Sequence, residues 1–87
     1  LLHLGMWYGR VTDAGLVALA EWPAVSRVGS FDLQNNQITD AGADSLIRSP
    51  HIGPLRRLDL HRNPISRAGR KRLRERFGDS LHIEPEA

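Results

Sequence analysis

The 87-residue chain contains no cysteine, which removes disulfides, thiolate metal ligands and a thiol nucleophile together. A domain this small, without crosslinks, depends on an apolar core that is marginal at this length. No apolar run approaches the roughly 18 residues of a membrane-spanning helix. The opening Leu1-Leu2-His3-Leu4 lacks the basic start and long apolar run of a secretory signal. Lack of cysteine fits a reducing compartment, so a cytoplasmic location is the expectation. What is present, 40% apolar residues and 25% charged residues of both signs, describes a folded domain rather than a disordered one.

Charge is unevenly placed. Residues 1–54 carry three arginines against five acidic residues, whereas residues 55–87 carry nine basic residues against five acidic ones. Eleven of the twelve basic residues are arginine, a bias that genome composition explains as readily as function does.

A pattern L-x-x-L-x-L-x-x-N-x-I-x-x-x-G-x-x-x-L recurs three times at a spacing of 27 residues without a gap. Its positions are Leu1, Leu4, Met6, Gly9, Val11, Gly15 and Leu19, then Val28, Phe31, Leu33, Asn36, Ile38, Gly42 and Leu46. The third copy is Leu55, Leu58, Leu60, Asn63, Ile65, Gly69 and Leu73. Leu58-Asp59-Leu60 alternates with period two and reads as a strand with both leucines inward and Asp59 outward. Asn63 follows where the chain must turn, with a side chain suited to bonding turn backbone groups. Thr39 and Ser66 are expected helix N-caps, and Asp40 in the first turn suits the positive helix end. Gly15, Gly42 and Gly69 recur four residues before Leu19, Leu46 and Leu73. That register predicts a helix lying too close to the strand layer for a side chain.

Stacked, such units give a parallel three-stranded sheet with helices on the convex side: an α/β solenoid, one domain over 1–87. Its repeats are 1–27, 28–54 and 55–81, with 82–87 as a tail. A unit of this kind cannot bury its apolar face alone, and about three are needed for a stable array. Leu4, Met6 and Val11 form an apolar edge at the first copy, which reads as a fragment of a longer solenoid or as an edge covered by a partner, edge-to-edge self-association included. The last copy replaces Ala18 and Ser45 by Arg72, and Trp22 and Ser49 by Arg76, as a terminal cap facing water would. Gly78 is the expected helix C-cap. Leu81 and Ile83 alternate around His82 and suggest a short extra edge segment.

Leu55, Leu58, Leu60, Asn63, Ile65, Gly69 and Leu73, with their equivalents one and two periods earlier, resemble the ribonuclease-inhibitor-like class of leucine-rich repeats. The match spans residues 1 to about 78, and the Arg76-Phe77-Gly78 ending looks like the C-terminal repeats of a bacterial member. The resemblance implies protein recognition through the concave strand face. The chain departs from the pattern in having Gly9 where the other copies have Asn36 and Asn63.

The outward strand positions fall in columns: His3, Ser30, Arg57; Gly5, Asp32, Asp59; Trp7, Gln34, His61; and Tyr8, Asn35, Arg62. The expected partner-binding residues are Trp7, Tyr8, Asp32, Gln34, Asn35, Arg57, Asp59, His61 and Arg62, with the exposed aromatics the natural anchors. Trp7 packing over its neighbouring strand is the plainer alternative. Asp32 and Asp59 lie side by side, yet an open sheet face offers no pocket for acid–base chemistry. His61 beside them lacks a dependable third metal ligand. The basic group Arg67, Arg70, Lys71, Arg72, Arg74 and Arg76 is scattered over several helix faces without nearby aromatic platforms, which fits a solvated cap better than nucleic acid. The reading is a non-catalytic protein-interaction module, with no cofactor and no metal, whose partner is another protein. A purely structural C-terminal cap of a longer solenoid is the alternative, and an Arg-rich nucleic-acid-binding end the minor one.

Overall fold

The 27-residue period reappears as spatial register in a computed structural model, which describes residues 2–5 and 10–86. Strands β1 (Leu2–Gly5), β2 (Val28–Asp32), β3 (Arg57–Asp59) and β4 (Leu81–His82) form one parallel sheet in chain order. His3 lies opposite Ser30 and Ser30 opposite Arg57, while Leu4, Phe31 and Leu58 form the next row. Each is a step of one repeat, so equivalent residues become neighbours. Helices α1 (Asp13–Glu21), α2 (Asp40–Arg48) and α3 (Arg67–Phe77) begin at the same repeat position. They pack side by side as a second layer, because parallel strands need a crossover and a helix supplies it. A 3-10 turn, Pro23–Arg27, returns the chain from α1 to β2.

Among the described residues the sheet has four strands, not three. Phe31 faces Leu58 at a step of 27 residues, but Leu58 faces Leu81 at a step of 23. The last connection is shorter because α3 ends on Gly78 at φ 59°, whose N–H donates to the Arg74 carbonyl, and a 3-10 turn over Gly78–Ser80 leads directly back to the sheet edge. The suspected edge segment around His82 is thus a strand. It caps β3, and Leu60 N–H donates to the His82 carbonyl at 2.8 Å.

Between the layers, Leu16, Phe31, Leu33, Ile38, Leu46, Leu58, Leu60 and Leu73 are essentially excluded from water. They belong to one continuous cluster that runs from Val11 to Ile83. The alternation at Leu58 and Leu60 holds, with both leucines inward.

The turn asparagines do more than serve their own turns. Asn63 Nδ2 donates to the Leu60 carbonyl at 3.0 Å and to the Leu33 carbonyl of the preceding unit at 2.9 Å. Its Oδ1 accepts the Ile38 N–H, also in the preceding unit, at 3.1 Å. Asn36 repeats the arrangement one unit earlier, accepting the Val11 N–H at 3.1 Å and donating to the Leu33 carbonyl at 3.0 Å. Each asparagine therefore closes its own turn and ties it to the one before.

The helix starts differ from expectation. Thr39 holds the N-cap position of α2 without making a side-chain cap; its hydroxyl donates instead to Asp13 Oδ2 of the preceding unit. Asp13 Oδ1 accepts the N–H groups of Thr39 at 2.8 Å and Gly42 at 3.0 Å. The cap of α2 is thus a carboxylate from the neighbouring helix. It stands at the positive end of α2, where a formal negative charge is best placed. Asp40 has the equivalent role in the next unit, accepting the Ser66 N–H at 2.7 Å and the Ser66 hydroxyl. Ser66 itself accepts the Gly69 N–H at 3.1 Å, as a conventional N-cap does.

These carboxylates also account for the glycines, and the strand layer does not. A Cβ on Gly42 would stand 2.5 Å from Asp13 Oδ1 and 3.0 Å from Ile38 Cγ2; on Gly69 it would stand 2.6 Å from Asp40 Oδ1 and 2.8 Å from Ile65 Cγ2. On Gly15 a Cβ would meet Val11 Cγ1 at an ordinary 3.6 Å. The carboxylate crowding runs along the stacking direction, the isoleucine crowding comes from the same unit, and both fall on the second and third copies alone.

Candidate functional site

The alternation that sends Phe31 and Leu58 inward sends Ser30, Asp32, Arg57 and Asp59 to the opposite face of the sheet. The register brings Gly5, Asp32, Asp59 and His82 into one row, and His3, Ser30 and Arg57 into the next. His3 Nδ1 lies 2.6 Å from Ser30 Oγ. Gln34 Nε2 donates to Asp32 Oδ1 at 3.0 Å. Trp7 and Tyr8, the expected aromatic anchors, lie outside the described residues.

At the centre of the face, Asp59 is 6% exposed. Arg57 Nη2 lies 3.3 Å from its Oδ2, and His61 Nδ1 2.9 Å from its Oδ1. The His61 N–H donates to the same Oδ1 at 3.1 Å. Burial works to raise the Asp59 pKa, but the His61 N–H and ring together with the Arg57 guanidinium outweigh it and hold the carboxyl below its ordinary value. Asp59 is accordingly turned toward Arg57 and His61 rather than toward open solvent. It fixes Arg57, whose side chain is 53% exposed, and His61, at 42%.

Asn35 and Arg62 occupy equivalent turn positions and both take a left-handed backbone, at φ 59° and 61°. Asparagine tolerates this conformation; arginine does so at a cost. The turn at Arg62 is secured by Glu84, whose Oε2 accepts the Arg62 N–H at 2.8 Å. Glu84 and His82 were not among the expected site residues. The alternation of Leu81 and Ile83 around His82 was the available signal for both, since it placed a strand next to the Asp59 row.

Most of the arginines of α3 are engaged within the chain. Arg72 pairs with Asp44 at 3.1 Å and with Asp40 at 3.8 Å, and Arg74 with Glu86 at 3.3 Å. Arg70 and Arg76 donate to the carbonyls of Ile65 and Ile52. The Arg76 guanidinium also stands 4.8 Å from the centre of the Phe77 ring, a cation–π contact. Among the described residues no group of three or more histidines and carboxylates could hold a metal ion, and no helix is long and apolar enough to cross a membrane.

Asp40 carries a pH signature of its own. The Ser66 hydroxyl and the Ser66 N–H, helped by Arg72 and Arg70, hold its carboxyl below the ordinary 3.8 against the opposing effect of burial. A depressed folded pKa stabilises above the unfolded value, and the stabilisation is lost as pH falls through the folded one. Urea midpoints should therefore drop as pH falls from 5 through about 3.8 and below. Asp40→Ala should start lower at neutral pH and lose less on acidification. Parallel pH profiles for the two proteins would refute this role for Asp40.

A leucine-rich-repeat family model matches residues 30–46, from β2 through the Asn36 turn and the Asp13-capped start of α2 to Leu46. The match supports a leucine-rich repeat over that segment. No curated protein matches it.

Proposed function

We propose that this chain is a non-catalytic protein-interaction module of the ribonuclease-inhibitor-like type, a short solenoid arc that binds its partner on the sheet face opposite the helices. The observation that carries this reading is the Arg57–Asp59–His61 group. A buried carboxylate holds two part-exposed, hydrogen-bonding side chains in fixed positions on an open face, beside Gln34, Asn35 and Arg62. Pre-oriented polar groups reduce the ordering cost of association. The leucine-rich-repeat match is consistent with protein recognition in general.

The test compares proteins retained by the immobilised wild type with those retained by two variants of unchanged melting temperature. Gln34→Ala/Arg57→Ala/His61→Ala alters the sheet face; Val17→Ser/Arg48→Ser/Lys71→Ser alters the helix side. Binding should be lost with the first and kept with the second. Loss with the second alone, or equal retention by both, would place recognition elsewhere.

A second reading, a structural cap on a longer array, draws support from α3. Arg72 and Arg76 reach back to Asp44 and the Ile52 carbonyl of the preceding unit, and the Ser80 hydroxyl donates to the Leu55 carbonyl. If capping is the whole role, the sheet-face variant leaves every interaction intact while Arg72→Ala/Arg76→Ala lowers stability.

A further inference from the structure

On the helix side, the seam between α2 and α3 is filled and the seam between α1 and α2 is open. At the filled seam Arg72 Nε bonds Asp44 at 3.1 Å and Arg76 Nη2 donates to the Ile52 carbonyl at 2.9 Å. Two long side chains therefore lie along it. One period earlier the same positions hold Ser45 and Ser49. They leave a cleft of about 400 Å³, with Val17, Ala20 and Pro50 among its walls. Its interior suits an apolar occupant. Ser45 Oγ donates to the Ala41 carbonyl at 3.1 Å and Ser49 Oγ to the Ala20 carbonyl at 2.6 Å, so both hydroxyl hydrogens are already committed within the chain.

The ridge beside the cleft is apolar as well. Between Asp13 and Glu21, α1 carries only alanine, glycine, leucine and valine, and a helix apolar around its circumference is ordinarily buried. Val17 is 39% exposed, at a position where the other two helices have Asp44 and Lys71. The rim adds charge of both signs. Glu21 lines the cleft from α1 and Arg48 from α2, with His51 as the third titratable group. Glu21 and Arg48 are exposed and one repeat apart, and among the described residues neither side chain has a partner. Neighbouring charges on the helix side behave differently, since Asp40 and Asp44 pair with Arg72, and Arg74 with Glu86.

One apolar ridge, one apolar cleft and one unpaired charge of each sign make a self-complementary surface. In a two-fold contact, residue i of one copy meets residue j of the other and j meets i. We propose that a second copy of this chain docks here, forming a two-fold dimer through the helix side. The α1 ridge at Val17 of each copy enters the α1–α2 cleft of the other, which sets Glu21 of each against Arg48 of the other. Both sheets then face outward. The Arg57–Asp59–His61 group stays open, so the dimer is independent of the sheet-face reading and uses none of its residues.

The test is sedimentation velocity of the whole chain over a concentration series, with circular dichroism to show that each variant is folded. The wild type should pass from monomer to dimer as concentration rises. Glu21→Arg and Arg48→Glu should each weaken the dimer by roughly tenfold or more, because like charges then meet at both contacts. An equal mixture of the two variants should recover it, since each contact then has opposite charges again. Ser45→Arg, which refills the cleft as Arg72 fills the next one, should also weaken it, whereas Gln34→Ala/Arg57→Ala/His61→Ala on the sheet face should leave it unchanged. A wild type that stays monomeric overturns the proposal. So does a dimer that survives either charge reversal, that the mixture fails to recover, or that the sheet-face variant abolishes.

Discussion

Replacing Asn63 with alanine is expected to destabilise the protein by about 2–4 kcal/mol, because several backbone groups inside the turn stack lose their partner at once. The Asn63 amide bonds the Ile38 N–H and the Leu33 and Leu60 carbonyls. The Leu33 carbonyl keeps its bond from Asn36 Nδ2, but the Ile38 N–H and the Leu60 carbonyl lose this partner, and each unpaired buried group costs about 1–3 kcal/mol. A domain of this length is stable by only about 4–13 kcal/mol, so the urea midpoint should fall by a large fraction. Asn63→Asp offers a sharper check. It keeps an acceptor for the Ile38 N–H but turns the donor into an acceptor facing two carbonyls, so it should do no better than alanine. An aspartate variant with near-native stability would show that the amide donor is not what secures the stack.

Gly42→Ala is expected to destabilise by about 1–3 kcal/mol although alanine is the better helix former by about 1 kcal/mol. The new Cβ would stand 2.5 Å from Asp13 Oδ1 and 3.0 Å from Ile38 Cγ2. Either the carboxylate leaves the α2 cap or the helix moves off the first unit. Gly15→Ala, with only an ordinary contact to Val11, should be neutral or slightly stabilising. In an Asp13→Ala background most of the Gly42→Ala penalty should vanish, leaving the Ile38 contact, and a double-mutant cycle of melting temperatures measures the coupling. Equal effects of the two glycine substitutions in the wild type would sink the explanation.

Both substitutions act between units rather than within one, and this is how the array achieves stability without crosslinks. Asparagines reach back to the preceding unit and aspartates reach forward to the next. Because these reaching bonds have one end in each of two units, a single unit satisfies only part of its own helix start and turn. That is the polar counterpart of an apolar face that one repeat cannot bury alone.

Periodicity made the order of elements legible in the sequence. The shift from period two at Leu58–Leu60 to helical spacing at Gly69–Leu73 marked strand and helix, and its return every 27 residues placed His3, Ser30 and Arg57, or Asp32 and Asp59, on neighbouring strands. The columns of the candidate face were readable for the same reason, since register fixes which side of a sheet a side chain meets. Environment was not readable in this way. Asp59 looked like an outward contact residue, yet it lies beneath Arg57 and His61, whose folding over it depends on side-chain conformations that spacing does not encode.

The sequence by itself therefore determined the strand–turn–helix unit, its period, the inward leucines and the turn asparagines, because those depend on neighbours two to four residues apart. Only the tertiary structure decided that Asp13 and Asp40 cap the following helices, that Gly42 and Gly69 make room for those carboxylates while Gly15 does not, and that Leu81–His82 closes the sheet as a fourth strand. Each of those depends on which atoms meet across a unit boundary, more than twenty residues apart in the chain. Stacking settles that distance, and no local pattern expresses it.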